Sequence, residues 1–519
     1  MPVSITTAST VGLEGRIIQV EVDISAGLPA FNIVGLADTA VLEARERVRS
    51  AIKNSGYSFP AHRKTVNLAP SGLRKHGPAF DLPIAVGILA ASKQVAPVAR
   101  DVWLLGELTL TGELRPIPGI IPLMIFAKKC GIRRIIMPLE NAEDAAIIQG
   151  ADIIGVTSLK QVVEFLADTT KIKPYRTTDV SSEVCLFIDP FRGIIGQEAA
   201  KHALAIAAAG HHNILLGGPP GVGKTLLAHA MAALLPPLSH EEFIEVAAIH
   251  SLKNTSTITA NGLLSRHHRP VRELHHTTSV AAIIGGTSSL TVGEISLAHH
   301  GVMVLDELPE FSRDVLESLR QPLEEKKITI HRASGSITYP ANIILLATAN
   351  PCPCGLLQGG RCTCLPHRIK QYRSRISGPI LDRIDLRVQM ESIDPAEMIR
   401  ESSEINSTEQ KENETRKMMK SIVQARALQY ERFHSYQVDG YHLYTNSDIP
   451  SKLMGTLCPL DRITQKKFAD AIKKFHLSPR AIHRLIKLAR TIADMEEGAT
   501  LNSPIGSNHL MLALQFRVD

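Results

Sequence analysis

The sequence predicts an α/β protein, with an α+β N-terminal domain, a parallel-sheet core and a helical C-terminal lid. Three observations carry this. An apolar run, Asn213 to Leu216, leads into Gly218-Pro219-Pro220-Gly221-Val222-Gly223-Lys224-Thr225, and an Ala-rich run from Leu226 to Leu235 follows. Strand, tight loop and helix in that order form one βα unit around a phosphate-binding loop, G-x-x-x-x-G-K-T. Two later apolar runs, Val302–Leu305 and Ala341–Ala349, each end in polar side chains, as buried parallel strands do at their ligand-binding edge. Finally, short β-rich and helical runs alternate before residue 172, whereas the periodicity after 393 is helical.

A chain of 519 residues holds about three domains at roughly 150 residues each. The predicted units are 1–172, a linker at 173–189 that is polar and contains Pro174, a core at 190–392 and a lid at 393–519. With only 4% aromatic residues, the cores are mostly aliphatic. A net charge of +6 is mild for this length and permits a nucleic-acid partner without arguing for one. No apolar run approaches the roughly 18 residues of a membrane span. The first residues lack the pattern of a signal peptide, so a cytoplasmic protein is expected.

In the first domain, Arg16–Ile24, Phe31–Val34 and Thr65–Leu68 read as strands, with a turn at Gly27 and Pro29. Asp38–Lys53 reads as a helix with Arg45, Arg47 and Arg49 on its polar side. Asp81–Ser92 reads as an apolar helix, Val102–Leu110 as a strand, Ile120–Lys129 as a helix and Arg134–Met137 as a strand. Lys75–Asp81 and Gly106–Gly119 resemble the proteolytic domain of the Lon proteases, a family that uses a Ser–Lys dyad. This chain has Ala79 at the nucleophile's place and Gly119-Ile-Ile-Pro-Leu123 where the lysine belongs. Alanine has no hydroxyl to attack a carbonyl, so the resemblance implies a Lon-like fold without peptidase chemistry, kept as a scaffold. Arg63, Lys64, Arg74 and Lys75 read as a solvated basic face or as a DNA contact.

The phosphate loop needs its residue types. Gly221 and Gly223 let backbone N–H groups turn toward phosphate oxygens, and the helix that starts at Lys224 adds its positive dipole end. Lys224 is expected at the β- and γ-phosphates of ATP, and the Thr225 hydroxyl on magnesium. About 80 residues on, Asp306 and Glu307 emerge from the Val302–Leu305 strand. Asp306 is assigned to magnesium and Glu307 to the general base that activates water. Gly193–Glu198 with Lys201 resembles the adenine-side segment of the AAA+ ATPases. That resemblance makes Asn350 the sensor asparagine and assigns Ser377–Asp385 to the finger segment. Arg383 is then the arginine finger, with Arg373, Arg375 and Arg387 as rivals. A finger supplied to a neighbour implies a ring, a homo-hexamer in this superfamily.

Two inserts interrupt the core. The first, from about 245 to 297, carries Arg266, Arg269 and Arg272 among four histidines. The second, Lys326–Tyr339, carries Lys326, Lys327 and Arg332 and reads as strand, turn, strand. Both resemble the pore-facing inserts of the AAA+ clade of magnesium chelatases and MCM helicases, which implies DNA contact through the phosphate backbone. A solvated basic loop is the alternative. Seven cysteines include Cys352, Cys354, Cys362 and Cys364. Four thiolates in a reducing compartment suit tetrahedral zinc; His367 in place of one of them, free thiols or disulfides are the alternatives.

In the lid, Glu401–Lys417 is highly charged, and Met418–Arg432 and Lys466–Phe475 are helical. The helix from Leu477 to Ala493 has Ser478 as N-cap and Pro479 at its first position. Ile482, Leu485, Ile486, Ala489 and Ile492 form its apolar stripe. Arg480, off that stripe, matches the second sensor arginine that the AAA+ lid swings onto the γ-phosphate. The whole chain is similar to the YifB family of magnesium-chelatase-like proteins. The phrases that carry this are Phe80–Gly87, Pro219–Thr225, Gly293–His299, Asp306–Phe311, Asn350–Gly355 and Ile376–Asp385. Glu273-Leu274 before His275-His276 departs from the family's small residue and proline. The resemblance implies an ATP-hydrolysing hexameric helicase that drives DNA branch migration in natural transformation, working alongside recombinase-pathway proteins. The alternative is a chelatase-type motor subunit that acts on a protein partner.

Overall fold

The computed structural model describes residues 2–36, 38–72, 75, 77–176, 189–253, 268–286, 291–332, 335–357, 362–392, 407–434 and 443–517. Residues 177–188 of the expected linker, Arg74 and Arg266 lie outside these. Among the described residues, no helix is long and apolar enough to cross a membrane.

The N-terminal domain opens with β1 (Val3–Val11), β2 (Glu14–Ser25), β3 (Phe31–Val34), α1 (Thr39–Asn54) and β4 (Arg63–Ala69). They form a sheet of order β1-β2-β4-β3, antiparallel except for β3 with β4. β1 is absent from the sequence reading because its Ser and Thr residues blur the apolar alternation; its register with β2 runs from Val3 opposite Val22 to Val11 opposite Glu14. Asp38 caps α1 by accepting from the Val41 N–H. α2 (Asp81–Ala91) is apolar all round and accordingly buried from Asp81 to Ala90.

Next come β5 (Val102–Leu104), β6 (Glu107–Leu108), β7 (Leu114–Arg115), α3 (Ile120–Lys129), β8 (Arg134–Pro138), α4 (Leu139–Ala145), β9 (Asp152–Val156) and α5 (Leu159–Ala167). The single strand expected over Val102–Leu110 is broken, because the Leu105 N–H bonds Ile136 while the Gly106 N–H turns to Ala79. Lys64 and Lys75 are not on a basic face. Both are buried, with their ammonium groups on the carbonyls of Pro60 and His62 and of Pro70 respectively.

The core contains α6 (Glu198–Gly210), β10 (Ile214–Gly217), α7 (Lys224–Leu234), α8 (His240–Lys253), β11 (Val271–Leu274), α9 (Val280–Ile284), α10 (Glu294–Leu297) and β12 (Val302–Leu305). It continues through α11 (Arg313–Ser318), α12 (Arg320–Glu325), β13 (Lys327–Arg332), β14 (Gly335–Pro340), β15 (Ile344–Ala349), α13 (Pro366–Ser374), α14 (Gly378–Leu381) and β16 (Leu386–Gln389). Five strands form one parallel sheet, β11-β12-β15-β10-β16. The phosphate-loop strand thus lies between the sensor strand β15 and β16, and β12 lies next to β15. β13 and β14 pair as the expected antiparallel hairpin.

The lid comprises α15 (Ser407–His434), α16 (Met454–Leu457), α17 (Arg462–Lys474), α18 (Pro479–Asp494) and α19 (Ser507–Gln515). Leu485, Ala489 and Ile492 are buried as expected, and the hydrophobic core of the motor runs continuously from β10 and β15 into them. The N-terminal domain meets the motor at α8: Phe243 and Val246–Ala248 share a core with Ile120, Ile121 and Met124. The Gly119 N–H bonds Ser251 O at 2.7 Å. Ala79 and Leu123, at the two dyad positions, line a cavity of about 200 Å³ with Leu252 and Tyr339 of the motor.

Candidate nucleotide site

β10 ends where Gly218 begins the loop, and the chain turns through Gly221 (φ 81°) and Gly223 (φ 92°) before α7. Those positive φ values suit glycine and strain other residues. Lys224, the first residue of α7, is nearly buried. Its ammonium donates to Gly218 O and Pro219 O, both at 2.8 Å, and to Asn350 Oδ1 at 2.9 Å. An ammonium has three protons, so all are used. A phosphate in the loop would compete for them. Burial pulls this lysine below its ordinary pKa, and Asp306 and Glu307 pull it back.

All four residues of β12 are buried, which delivers Asp306 and Glu307 to its C-terminal edge. Glu307 takes the left-handed conformation, φ 56°. The Thr348 hydroxyl accepts the Glu307 N–H at 3.0 Å and donates to Asp306 Oδ1. Asn350, just past β15, donates from Nδ2 to Glu307 Oε1 at 3.2 Å. Lys224, Asp306, Glu307 and Asn350 therefore form one linked group across the ends of β10, β12 and β15. Thr225 is the second residue of the same helix and is exposed. Thr348 was missed by sequence reasoning; its signal is a lone hydroxyl inside an apolar strand, two residues before Asn350. A cavity of about 910 Å³ lies between Ile194 and Ile195 and the lid residues Met418, Ile492 and Met495; no residue of the linked group lines it.

The finger candidate, Arg383, is 4% exposed. It pairs with Glu324 at 2.5 Å and donates to Arg320 O and Pro379 O. Arg480 is exposed and 3.9 Å from the same carboxylate oxygen. Two arginines read from distant motifs thus converge on Glu324. Of the rivals, Arg375 pairs with Glu310, Arg373 donates to Pro351 O and Arg387 to Leu381 O.

The cysteines come together. Cys352 Sγ lies 3.4 Å from Cys354 and 3.7 Å from Cys362, and Cys354 lies 3.6 Å from Cys362. Cys364 completes the group, with all four sulfurs within 4.8 Å of one another. Bonds of about 2.3 Å in a tetrahedron place sulfurs about 3.8 Å apart, so the donor set fits zinc. No disulfide joins them. A second ligand-like group, Glu245 with His299 and His300, is different. The Asn342 N–H donates to His299 Nδ1 at 3.0 Å, so the His299 proton sits on Nε2 and is given to Glu245. That nitrogen has no lone pair for a metal.

The basic candidates divide. Arg269 is buried, its guanidinium on Glu242, Pro236 O and His300 O, a structural role in place of the exposed DNA contact expected. Arg272 is paired with Glu294 and Lys326 with Asp448 of the lid, so both are also drawn into the fold. Lys327 is exposed at the start of β13, and Arg332 ends that strand.

Residues 190–398 match the family described as magnesium chelatase, subunit ChlI. Residues 20–141 match subunit ChlI of Mg-chelatase, and 412–517 the ChlI C-terminal family. The chain is 40% identical to the uncharacterized protein YifB of Salmonella typhimurium, over 98% of this chain and 96% of that one. It is 38% identical to the competence protein ComM of Haemophilus influenzae over the same shares. It is also 27% identical to Lon protease 2 of Bacillus subtilis over 31% of this chain and 32% of that protein.

Proposed function

The chain belongs to the family of YifB and the competence protein ComM, and from that membership we propose that it is an ATP-driven DNA motor promoting branch migration in natural transformation. Family membership makes the chain an AAA+ ATPase related to the magnesium chelatases, with a Lon-like N-terminal domain. The observation that supports ATP chemistry best is the linked group of Lys224, Asp306, Glu307 and Asn350. Adenine is assigned to the cavity beside Ile194 and Ile195. In the loop, the Lys224 ammonium donates hydrogen bonds to the β- and γ-phosphates. Thr225 and Asp306 would hold magnesium, which would neutralise charge on those phosphates. Glu307 takes a proton from water, and Asn350 keeps Glu307 aimed at the γ-phosphate.

Arg383, with Arg480 beside it on Glu324, is offered to the nucleotide of a neighbour in a hexameric ring; a finger of this kind is worth roughly 10³–10⁵ in rate. The hairpin β13–β14, through Lys327 and Arg332, and Arg266 of the first insert are assigned to the DNA backbone. Zinc is assigned to Cys352, Cys354, Cys362 and Cys364. The N-terminal domain is read as a scaffold without peptidase activity, since apolar residues of the motor line the cavity at the dyad positions. A cytoplasmic location fits all of these roles.

The test is ATP-dependent migration of a labelled three- or four-strand DNA junction, wild type beside Lys224→Ala. Exchange by the wild type alone is expected, with ATP turnover of the variant lower by on the order of 100-fold or more. ATP turnover indifferent to DNA, with no exchange, would overturn the DNA reading and favour a motor acting on a protein partner.

A further inference from the structure

The four-cysteine loop is not attached to the molecule at a neutral place. Its first ligand, Cys352, is fully buried and two residues after Asn350, whose amide bridges Lys224 and Glu307. Between them, Pro351 O accepts from Arg373 Nε at 3.2 Å, which ties this stretch to α13. After the second ligand, Cys354, the chain turns at Gly355 (φ 77°), with the Gly355 N–H on Cys352 O at 2.9 Å. At that turn the loop touches the phosphate loop itself: a Cβ on Gly355 would lie 2.5 Å from Pro220 Cδ and 2.9 Å from Pro220 Cγ. One short segment thus carries the sensor amide at one end, two metal ligands in the middle and the backbone that abuts the phosphate loop at the other.

We propose that the tetrathiolate site is a working part of the ATPase centre: bound zinc fixes Asn350–Gly355 against Pro220, so metal occupancy sets the rate of ATP turnover. The inference rests on the zinc and ATPase readings above. The physical reason is the shortness of the segment. No disulfide joins Cys352 and Cys354 to Cys362 and Cys364, and the hydrogen bonds between their sulfurs are weak, so a bound metal would be the strong tie between the two pairs. Without that tie, the segment keeps the Arg373 and Gly355 backbone hydrogen bonds, and weak sulfur hydrogen bonds are left to join it to the second cysteine pair. A side chain that must sit within hydrogen-bond distance of both Lys224 and Glu307 tolerates little displacement. Cys352 and Cys354 are positioning residues in this scheme, and Pro220 and Asn350 transmit their effect.

The experiment compares zinc content, kcat and KM for ATP, and thermal unfolding in three full-length proteins: wild type, Cys362→Ser/Cys364→Ser and Gly355→Ala. The double variant changes the ligands farther from Asn350. The wild type is expected to carry one zinc per chain. The double variant is expected to lose it and to fall in kcat by on the order of 10- to 100-fold, with a smaller change in KM. Gly355→Ala should keep its zinc and still lose turnover, since its methyl group displaces Pro220 and not the thiolates. Zinc loss with kcat within about twofold of wild type would overturn the coupling and leave zinc as a local staple. A metal-free wild type whose turnover ignores the cysteines would sink the zinc reading and the coupling together. A double variant that fails to fold moves the decision to the wild type: zinc removed by chelation must lower turnover and zinc added back must restore it, and indifference to both overturns the coupling.

Discussion

Thr348 lies in a strand that is otherwise aliphatic, and its hydroxyl aims the two acids beside it. It donates to Asp306 and accepts from the backbone of Glu307, so it holds the proposed magnesium ligand and the proposed base in one relation. Thr348→Val keeps the shape and removes both hydrogen bonds. Expected is a loss of about 1–3 kcal/mol in stability, measured by denaturant, because buried polar groups lose their partners. ATP turnover should fall by roughly tenfold or more, with nucleotide affinity less affected. Unchanged turnover would make Thr348 a packing residue. Lys224 was legible in the sequence because glycine spacing and a following helix define its role. Thr348 was not, because its role exists only once β15 lies beside β12 with Ala347 opposite Leu305. Likewise, Arg269 read as a surface charge until α8 brought Glu242 to it.

Between β12 and α8, the pair His299–His300 is expected to make stability at the start of the acid-bearing strand depend on pH. His299 is buried, and burial, then the neighbouring His300, push its pKa down to about 4. Glu245, which accepts a hydrogen bond from His299 Nε2, is held well below the usual carboxylate range despite its own burial, by hydrogen bonds from both histidines. For a histidine with a depressed folded pKa, the neutral form belongs to the fold. Its contribution is present above the unfolded value near 6.5 and is lost as pH falls from there toward 4. The difference corresponds to roughly 3 kcal/mol at full effect. Urea unfolding at pH 7 and pH 5 should show the wild type losing stability on acidification, and His299→Asn losing less. Equal pH dependence would place the effect elsewhere. Helix α18 shows the legible kind of element, since Ser478 accepts from the Ala481 N–H as its sequence predicts. The helix α15, 28 residues long, runs through a charged stretch that composition alone left unassigned.

At the scale of the molecule, Glu324 gathers Arg383, which is buried, and Arg480, which is exposed, into one unit. If that unit serves a neighbour's nucleotide, Arg383→Ala and Lys224→Ala each abolish ATP turnover, and mixing the two variants restores part of it. Restoration arises where an intact finger meets an intact phosphate loop. No recovery in mixed rings, with assembly intact, would place Arg383 in its own subunit's site. The sequence by itself determined the motor: loop, acidic pair, sensor amide and capped lid helix are local patterns whose chemistry follows from residue type and spacing. It also determined the four-thiol group, because ligands a few residues apart must meet. Only the tertiary structure decided which charges are free. Lys64 and Lys75 are buried on carbonyls of their own neighbouring residues because packing covers them, whereas packing of other segments brings Glu242 to Arg269 and Asp448 to Lys326. It alone decided that the four-thiol loop rests on Pro220 and that α8 joins the two domains. Those contacts link residues more than a hundred positions apart, and no local pattern of side chains encodes such a meeting.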